Sequence, residues 1–346
     1  MPTNAAGGRI AYEPTLDGLR AIAVLLVVAF HARVPGFRGG FVGVDIFFVL
    51  SGYLITSILR AGVKGFYVRR LLRLAPALLS MLAVYVVAAP FLWPLRGFLT
   101  HLREAAVAAF YLSDYLRVSG VWPLRHTWSL AVEAQFYLFW PFVVSRLSER
   151  RAPLVLIGSW ALLTLWRLFK LATWGWDASF FPFDSHSTGL VLGALLAYVP
   201  ARHPALAWPG LAALGALTAS LTYLTAVSAA VGLSCAEIAT ALVILGAASP
   251  GPSVARSILA ARPLVIVGRL SYGVYLWHYP LALYLRPMWP WWAALPAVLV
   301  FSLAAAALSY ASVEKVARRA RFAARPARPP MVSRTPLTSR TKQERT

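Results

Sequence analysis

Arg20 and His31 stand eleven residues apart in an otherwise apolar run. At 3.6 residues per turn that spacing is about three turns plus ~20°, so both side chains share one helix face, about 16.5 Å apart along the axis. An ionisable group inside an apolar helix costs about 2.5–3.5 kcal/mol to insert, so each one needs a reason. A neutral imidazole supplies one, because it can take a proton from a hydroxyl near neutral pH. Taken alone, Arg20 also reads as an interface anchor and His31 as a wetted helix end.

Other polar residues gather at the same expected depth as His31. Asp45 lies just inside the second apolar run, and His126 and Glu133 flank the start of the run that holds Trp128 and Ser129. Asp184 and His186 begin another run, and His278 lies beside Tyr279 in a later one. Together they read as a hydrated cavity with acid/base capacity, formed by five helices. In FYVRRLLRLAPA, Arg70 and Arg73 share a helical face at i and i+3, with Arg69 adjacent. That face reads either as an orientation anchor or as a cradle for phosphates, which arginine binds through paired, charge-assisted hydrogen bonds. Glu237, deep in an apolar run, suits a structural or a functional role equally, while Arg167 and Lys170 read as interface anchors. No HExxH, no cysteine pair and no close His–His spacing is present, so no metal is expected.

These residues must be positioned by membrane helices. Of the 346 residues, 59% are hydrophobic and only 13% charged, against about 25% charged in soluble domains. The apolar residues come in runs of about 20, at about 17–33, 41–59, 74–93, 128–145, 154–172, 186–200, 207–225, 229–248, 264–285 and 292–313. The expected fold is therefore all-α, a polytopic membrane bundle of about ten transmembrane helices. Soluble, disordered and disulfide-built classes are excluded, since the single cysteine, Cys235, can form no intrachain bridge.

The formal net charge is +21, from 33 Lys and Arg against 12 Asp and Glu. The basic residues punctuate the apolar runs, which is the mark of membrane orientation and not of nucleic-acid binding. Clusters at 60–73, 146–153, Arg202 and 256–262, with ten basic residues from Lys315 onward, all face one side only if 105–118 does not cross. That gives ten spans, both termini cytoplasmic, in the inner (plasma) membrane. A membrane domain over 1–314 and a basic, disordered cytoplasmic tail over 315–346, in contact with membrane lipid, complete the expected layout. The first apolar run lacks a small-x-small cleavage site and reads as a retained helix.

Five segments carry a family resemblance: LDGLRAIAVLLVVAFH (16–31), GFVGVDIFFVLSGYLIT (40–56), FYVRRLLRLAPA (66–77), HTWSLAVEAQFYLFWP (126–141) and LSYGVYLWHYPL (270–281), with SYASVE (309–314) a weaker echo. Together they make the chain similar to the membrane acyltransferase-3 family, bacterial O-acyltransferases of sugars and related acceptors, over about Leu16–Arg319. The resemblance implies transfer of an acyl group, commonly acetyl, from acyl-coenzyme A to a hydroxyl. It implies that His31 of the Arg-x10-His pair is catalytic, and that Arg70 and Arg73, with Arg69 beside them and Arg20 on the first helix, serve the donor. Asp45 matches the aspartate of GVDxFF and Glu133 the first glutamate of the SVEEQF-like segment. Ala131 and Ala134 replace the usual Ser and second Glu, and His186 and Thr188 stand where Arg and Asp are expected.

The expected reaction is direct transfer with His31 as general base, and an acyl-histidine intermediate stays open. Asp45 or Glu133 would orient its ring. His126, Trp128, Ser129, Asp184, His186, His278 and Tyr279 are candidates for the acceptor site. The acceptor would be a carbohydrate, a lipid-linked sugar or a glycosylated small molecule. A small-solute transporter and a non-catalytic membrane protein of the same fold are the rival classes.

Overall fold

The computed structural model describes residues 12–116, 122–200, 203–249, 251 and 253–311. The basic tail expected at 315–346, and the domain boundary at 314, lie outside the described residues, as does Arg202. Among the described residues there are fourteen α-helices and no strand. The first four are α1 (Pro14–His31), α2 (Gly43–Arg60), α3 (Phe66–Leu92) and α4 (Phe98–Ala109). Next come α5 (Trp128–Arg146), α6 (Ala152–Trp174), α7 (Trp176–Phe180), α8 (Phe183–His186) and α9 (Thr188–Leu196). The last five are α10 (Ala207–Ser220), α11 (Leu233–Ala247), α12 (Val254–Leu259), α13 (Arg262–Leu285) and α14 (Trp291–Ser309).

Six helical stretches are long and apolar enough to cross a membrane: α1, Gly40–Arg60, α3, α6, Ser228–Ala247 and α14. The chain is thus an all-α, multi-pass membrane bundle. Helices α5 and α13, 19 and 24 residues long, match the six in length. The runs expected at 186–200 and 207–225 instead form α9 and α10, of 9 and 14 residues. At 1.5 Å per residue these reach only about 14 and 21 Å, less than the ~30 Å hydrocarbon core. Helix α4, with 12 residues, is about 18 Å long and too short to cross.

Burial separates an inner layer from an outer one. The spans of α1, α2 and α11 have 61–67% of their residues buried inside the protein, whereas α3, α6 and α14 have 17–28%. Phe91, Val87, Leu154 and Leu162 on these outer helices are exposed, the surface that lipid would cover. Without a hydrophobic drive between helices in lipid, the inner layer closes through small residues that let backbones touch. A Cβ on Gly268 of α13 would stand 1.8 Å from the Asp17 carbonyl oxygen of α1, and one on Gly193 of α9 would stand 2.0 Å from Val49 O of α2. Only glycine fits either crossing, and the first one brings α13 against the helix that carries Arg20 and His31.

Proline sets a second feature of α13. Pro280 has no N–H to give to the carbonyl of Leu276 four residues earlier. The side chain of His126 takes that place, its Nε2 donating to Leu276 O at 3.0 Å. The helix irregularity therefore anchors one of the histidines expected in the site.

Candidate active site

The site has two parts along the bundle axis. The first is a cleft open to solvent between α1, α2, α3, α5 and α13. Arg20, Arg70 and Arg73 line it together with Glu133, Tyr137 and Ser51, and Ser129 and Tyr275 also line it. Arg69 is not in this lining. On α5, Ser129, Glu133 and Tyr137 recur every four residues and so share one face. Glu133 accepts a hydrogen bond from Ser51 Oγ at 2.6 Å, and Tyr137 donates to the same hydroxyl at 3.3 Å. The Arg70 guanidinium sits over the Tyr137 ring, 5.3 Å from its centroid, and makes no ion pair among the described residues. Arg20 pairs with Asp17 at 3.0 Å.

The second part lies beyond the Ser129–Tyr275 layer. The Tyr275 hydroxyl is 2.5 Å from Ser129 Oγ and 3.1 Å from the His126 carbonyl oxygen. One turn further along α13, His278 Nδ1 is 2.6 Å from Tyr275 O, and its Nε2 is 3.1 Å from His31 Nδ1. His31 Nδ1 also lies 3.0 Å from Val27 O. Tyr279 packs against both His31 and His126, with ring centroids 4.8 and 5.2 Å away. Among the described residues His31 Nε2 has no hydrogen-bond partner, on a residue that is half-buried, and His126 Nδ1 is buried without a partner.

The single cavity expected from depth alone is therefore several separate groupings. His31, His126, His278 and Tyr279 come together, with Ser129 joined through Tyr275. Neither Asp45 nor Glu133 hydrogen-bonds His31, which departs from the expectation that one of them orients its ring. Asp45, 1% exposed, pairs with His186 Nε2 at 3.0 Å. His186 Nδ1 bonds the Phe180 carbonyl, and Trp128 packs on the ring with centroids 4.9 Å apart. Asp184 holds Lys170 at 2.9 Å and accepts from Trp166 Nε1 at 2.7 Å. The reason is azimuthal: equal depth on different helices does not mean facing sides. Glu133 is also four residues beyond Ser129, about 6 Å further along α5.

Arg167 is not the interface anchor expected of it. It is fully buried and pairs with Glu237 at 3.6 Å. In the loop before α5, burial pushes the Asp114 carboxyl up to about 6, opposed by hydrogen bonds from Gln135 and the Phe183 N–H. Among the described residues no group of three His, Cys, Asp or Glu side chains could hold a metal ion. Sequence reasoning missed Ser51, Tyr137 and Tyr275. The helical spacing Glu133–Tyr137 and Tyr275–His278 was the available signal for two of them, while Ser51 carried none.

Comparison with known proteins bears on this arrangement. The chain is 32% identical over 319 residues to O-acetyltransferase OatA of Staphylococcus aureus (strain NCTC 8325), a match covering 80% of this chain and 51% of that protein. It is 33% identical over 329 residues to peptidoglycan O-acetyltransferase OatA of Listeria monocytogenes, covering 80% of this chain and 50% of that protein. A putative O-acetyltransferase of Staphylococcus aureus (strain MSSA476) is 31% identical over 308 residues, covering 78% and 51%. The chain spans about half the length of these relatives. No solved structure matches it. The family profile described as an acyltransferase domain matches residues 13–313. With that match over most of its length, the chain belongs to the membrane acyltransferase-3 family.

Proposed function

We propose that the chain transfers an acyl group, acetyl in the first instance, from acyl-coenzyme A at the cytoplasmic side to a hydroxyl of a carbohydrate acceptor, with His31 as general base. The observation that carries this reading is the alignment of the two parts of the site. An arginine-lined cleft reaches Ser129 and Tyr275, and beyond that layer stands the His31 imidazole, whose Nε2 has no hydrogen-bond partner among the described residues. The residues suit the donor: Arg70 lines the cleft without an ion pair of its own, as a phosphate-binding guanidinium would. Asp45 and Glu133 act at one remove from His31, Asp45 by holding His186 and Glu133 from the wall of the donor cleft.

In the proposed step His31 Nε2 takes the acceptor's hydroxyl proton as that oxygen bonds the acyl carbon. The thioester C–S bond breaks, and the proton passes from His31 to the departing thiolate. The name of the Listeria monocytogenes relative, a peptidoglycan O-acetyltransferase, favours an acceptor in the cell-envelope glycan. The test is mass spectrometry of envelope glycans and secreted metabolites with and without the gene. An acetyl mass increment that depends on the gene is expected, and its absence from every fraction would count against the reading.

Two expected outcomes follow. Arg73→Ala should raise the apparent donor KM strongly with a smaller change in kcat, since its guanidinium lines the cleft and not the histidine cluster. A change confined to turnover, with donor binding intact, would contradict the assignment. For the orientation with both termini inside, which holds whether or not the short pair α9 and α10 crosses, cysteines placed at Ser148 and Ser253 after replacement of the exposed Cys235 should resist impermeant thiol reagents in intact cells. Ready labelling at either position would overturn it.

A further inference from the structure

The histidine cluster holds a proton arrangement that its hydrogen bonds determine. His278 Nδ1 lies 2.6 Å from the Tyr275 carbonyl oxygen, which can only accept, so Nδ1 carries the proton. A neutral His278 then presents a lone pair at Nε2, 3.1 Å from His31 Nδ1. His31 Nδ1 also faces the Val27 carbonyl oxygen at 3.0 Å, a second acceptor. With a proton on both Nδ1 atoms, every one of these contacts runs from donor to acceptor. The reverse arrangement would set a lone pair against a carbonyl oxygen at both ends of the chain. The order is therefore Tyr275 C=O, His278 Nδ1–H, His278 Nε2, His31 Nδ1–H, and it leaves His31 Nε2 as the lone pair with no partner among the described residues.

We propose that His278 is a positioning residue that fixes His31 in the Nδ1-protonated tautomer and steadies its imidazolium when Nε2 takes the acceptor proton. This rests on the reading of His31 as the base. It gives His278 a role other than lining the acceptor pocket, and it fills with a neutral ring the place expected of Asp45 or Glu133. The neutral acceptor takes the Nδ1 proton's hydrogen bond and leaves Nε2 to bind a proton and give it up again. The support is built into α13. Tyr275 and His278 are one turn apart, and the close crossing at Gly268 sets their helix against α1. His126, tied to the carbonyl that Pro280 leaves free, lies beside the His278 ring with centroids 5.7 Å apart.

The test compares wild type, His278→Phe and His278→Gln as full chains purified into lipid discs, with acetyl-coenzyme A as donor. A hydrogen bond to a charged group is worth roughly tenfold to a hundredfold in rate, so His278→Phe should lower kcat by about that factor with donor KM unchanged. Glutamine can present its amide oxygen to His31 Nδ1–H, so His278→Gln should recover much of the loss. Nitrogen-15 NMR of histidine-labelled protein should find the His31 proton on Nδ1 in wild type and in His278→Gln, and a mixture of tautomers in His278→Phe. Equal impairment of both variants, unchanged kcat in His278→Phe, or a wild-type His31 proton on Nε2 would each overturn the proposal. The tautomer measurement needs no turnover. A failure of His31 as base, seen as normal activity in His31→Ala, is thus distinguishable from a failure of His278 to position it.

Discussion

His31→Ala lowers kcat by about 10²–10⁴-fold, the usual contribution of a general base, while donor affinity stays near its wild-type value. The separation of the two effects follows from geometry. The donor cleft is lined by Arg20, Arg70, Arg73 and their neighbours and does not include His31, so truncating the imidazole removes nothing that the donor would touch there. The fold should also tolerate the change. His31 is the last residue of α1 and only half-buried, its hydrogen-bond partners are one backbone carbonyl and one histidine ring nitrogen, and the Tyr279 ring packs beside it. The assay is acyl transfer by purified variants in lipid discs, with donor affinity measured on the same samples. Glu133→Gln serves as the contrast: its carboxylate accepts from Ser51 in the cleft wall, so its effect should fall on donor binding more than on turnover. Near-normal turnover in folded His31→Ala protein would return His31 to the role of a wetted helix end.

What the sequence makes legible here is distance along a helix and identity of helix. Arg20 and His31, eleven residues apart, do stand at two levels along one helix: Arg20 lines the cleft and His31 stands beyond its far end. Arg70 and Arg73, at i and i+3, do share one cleft. Both inferences use only the 3.6-residue period, which any helix obeys. What stays hidden is rotation, that is, which face each helix turns to which neighbour. Asp45 and His278 stand at the same expected depth as His31, but Gly268 lets α13 close on α1, while Asp45 turns to His186 at the end of α8. The glycine was visible in the sequence, but its contact across to Asp17 was not. Arg167 shows the same limit, since an arginine near a helix end reads as an anchor until a carboxylate from another helix is found beside it.

That pair carries the largest stability effect expected of a single substitution. Arg167 on α6 and Glu237 on α11 are both fully buried, with Nη1 and Oε1 3.6 Å apart. Much of their remaining hydrogen-bonding capacity is met locally, while Arg167 Nε is buried with no partner among the described residues. Arg167 donates to Thr188 at 2.9 Å and Ser234 at 2.6 Å, and Glu237 accepts from Trp160 Nε1 at 2.8 Å and from Thr188. Three helices are tied at this point, because Thr188 begins α9. Removing one member strands the other charge out of water, so Arg167→Met should cost about 3–5 kcal/mol of stability. Removing both charges leaves no stranded ion, and the double variant Arg167→Met/Glu237→Gln should regain most of that loss. Thermal unfolding of the two variants in the same lipid discs measures the difference. The His31 site lies on other helices, so folded double-variant protein should keep its turnover. If single and double variants melt together, the pair is not coupled and Thr188, Ser234 and Trp160 hold each residue independently.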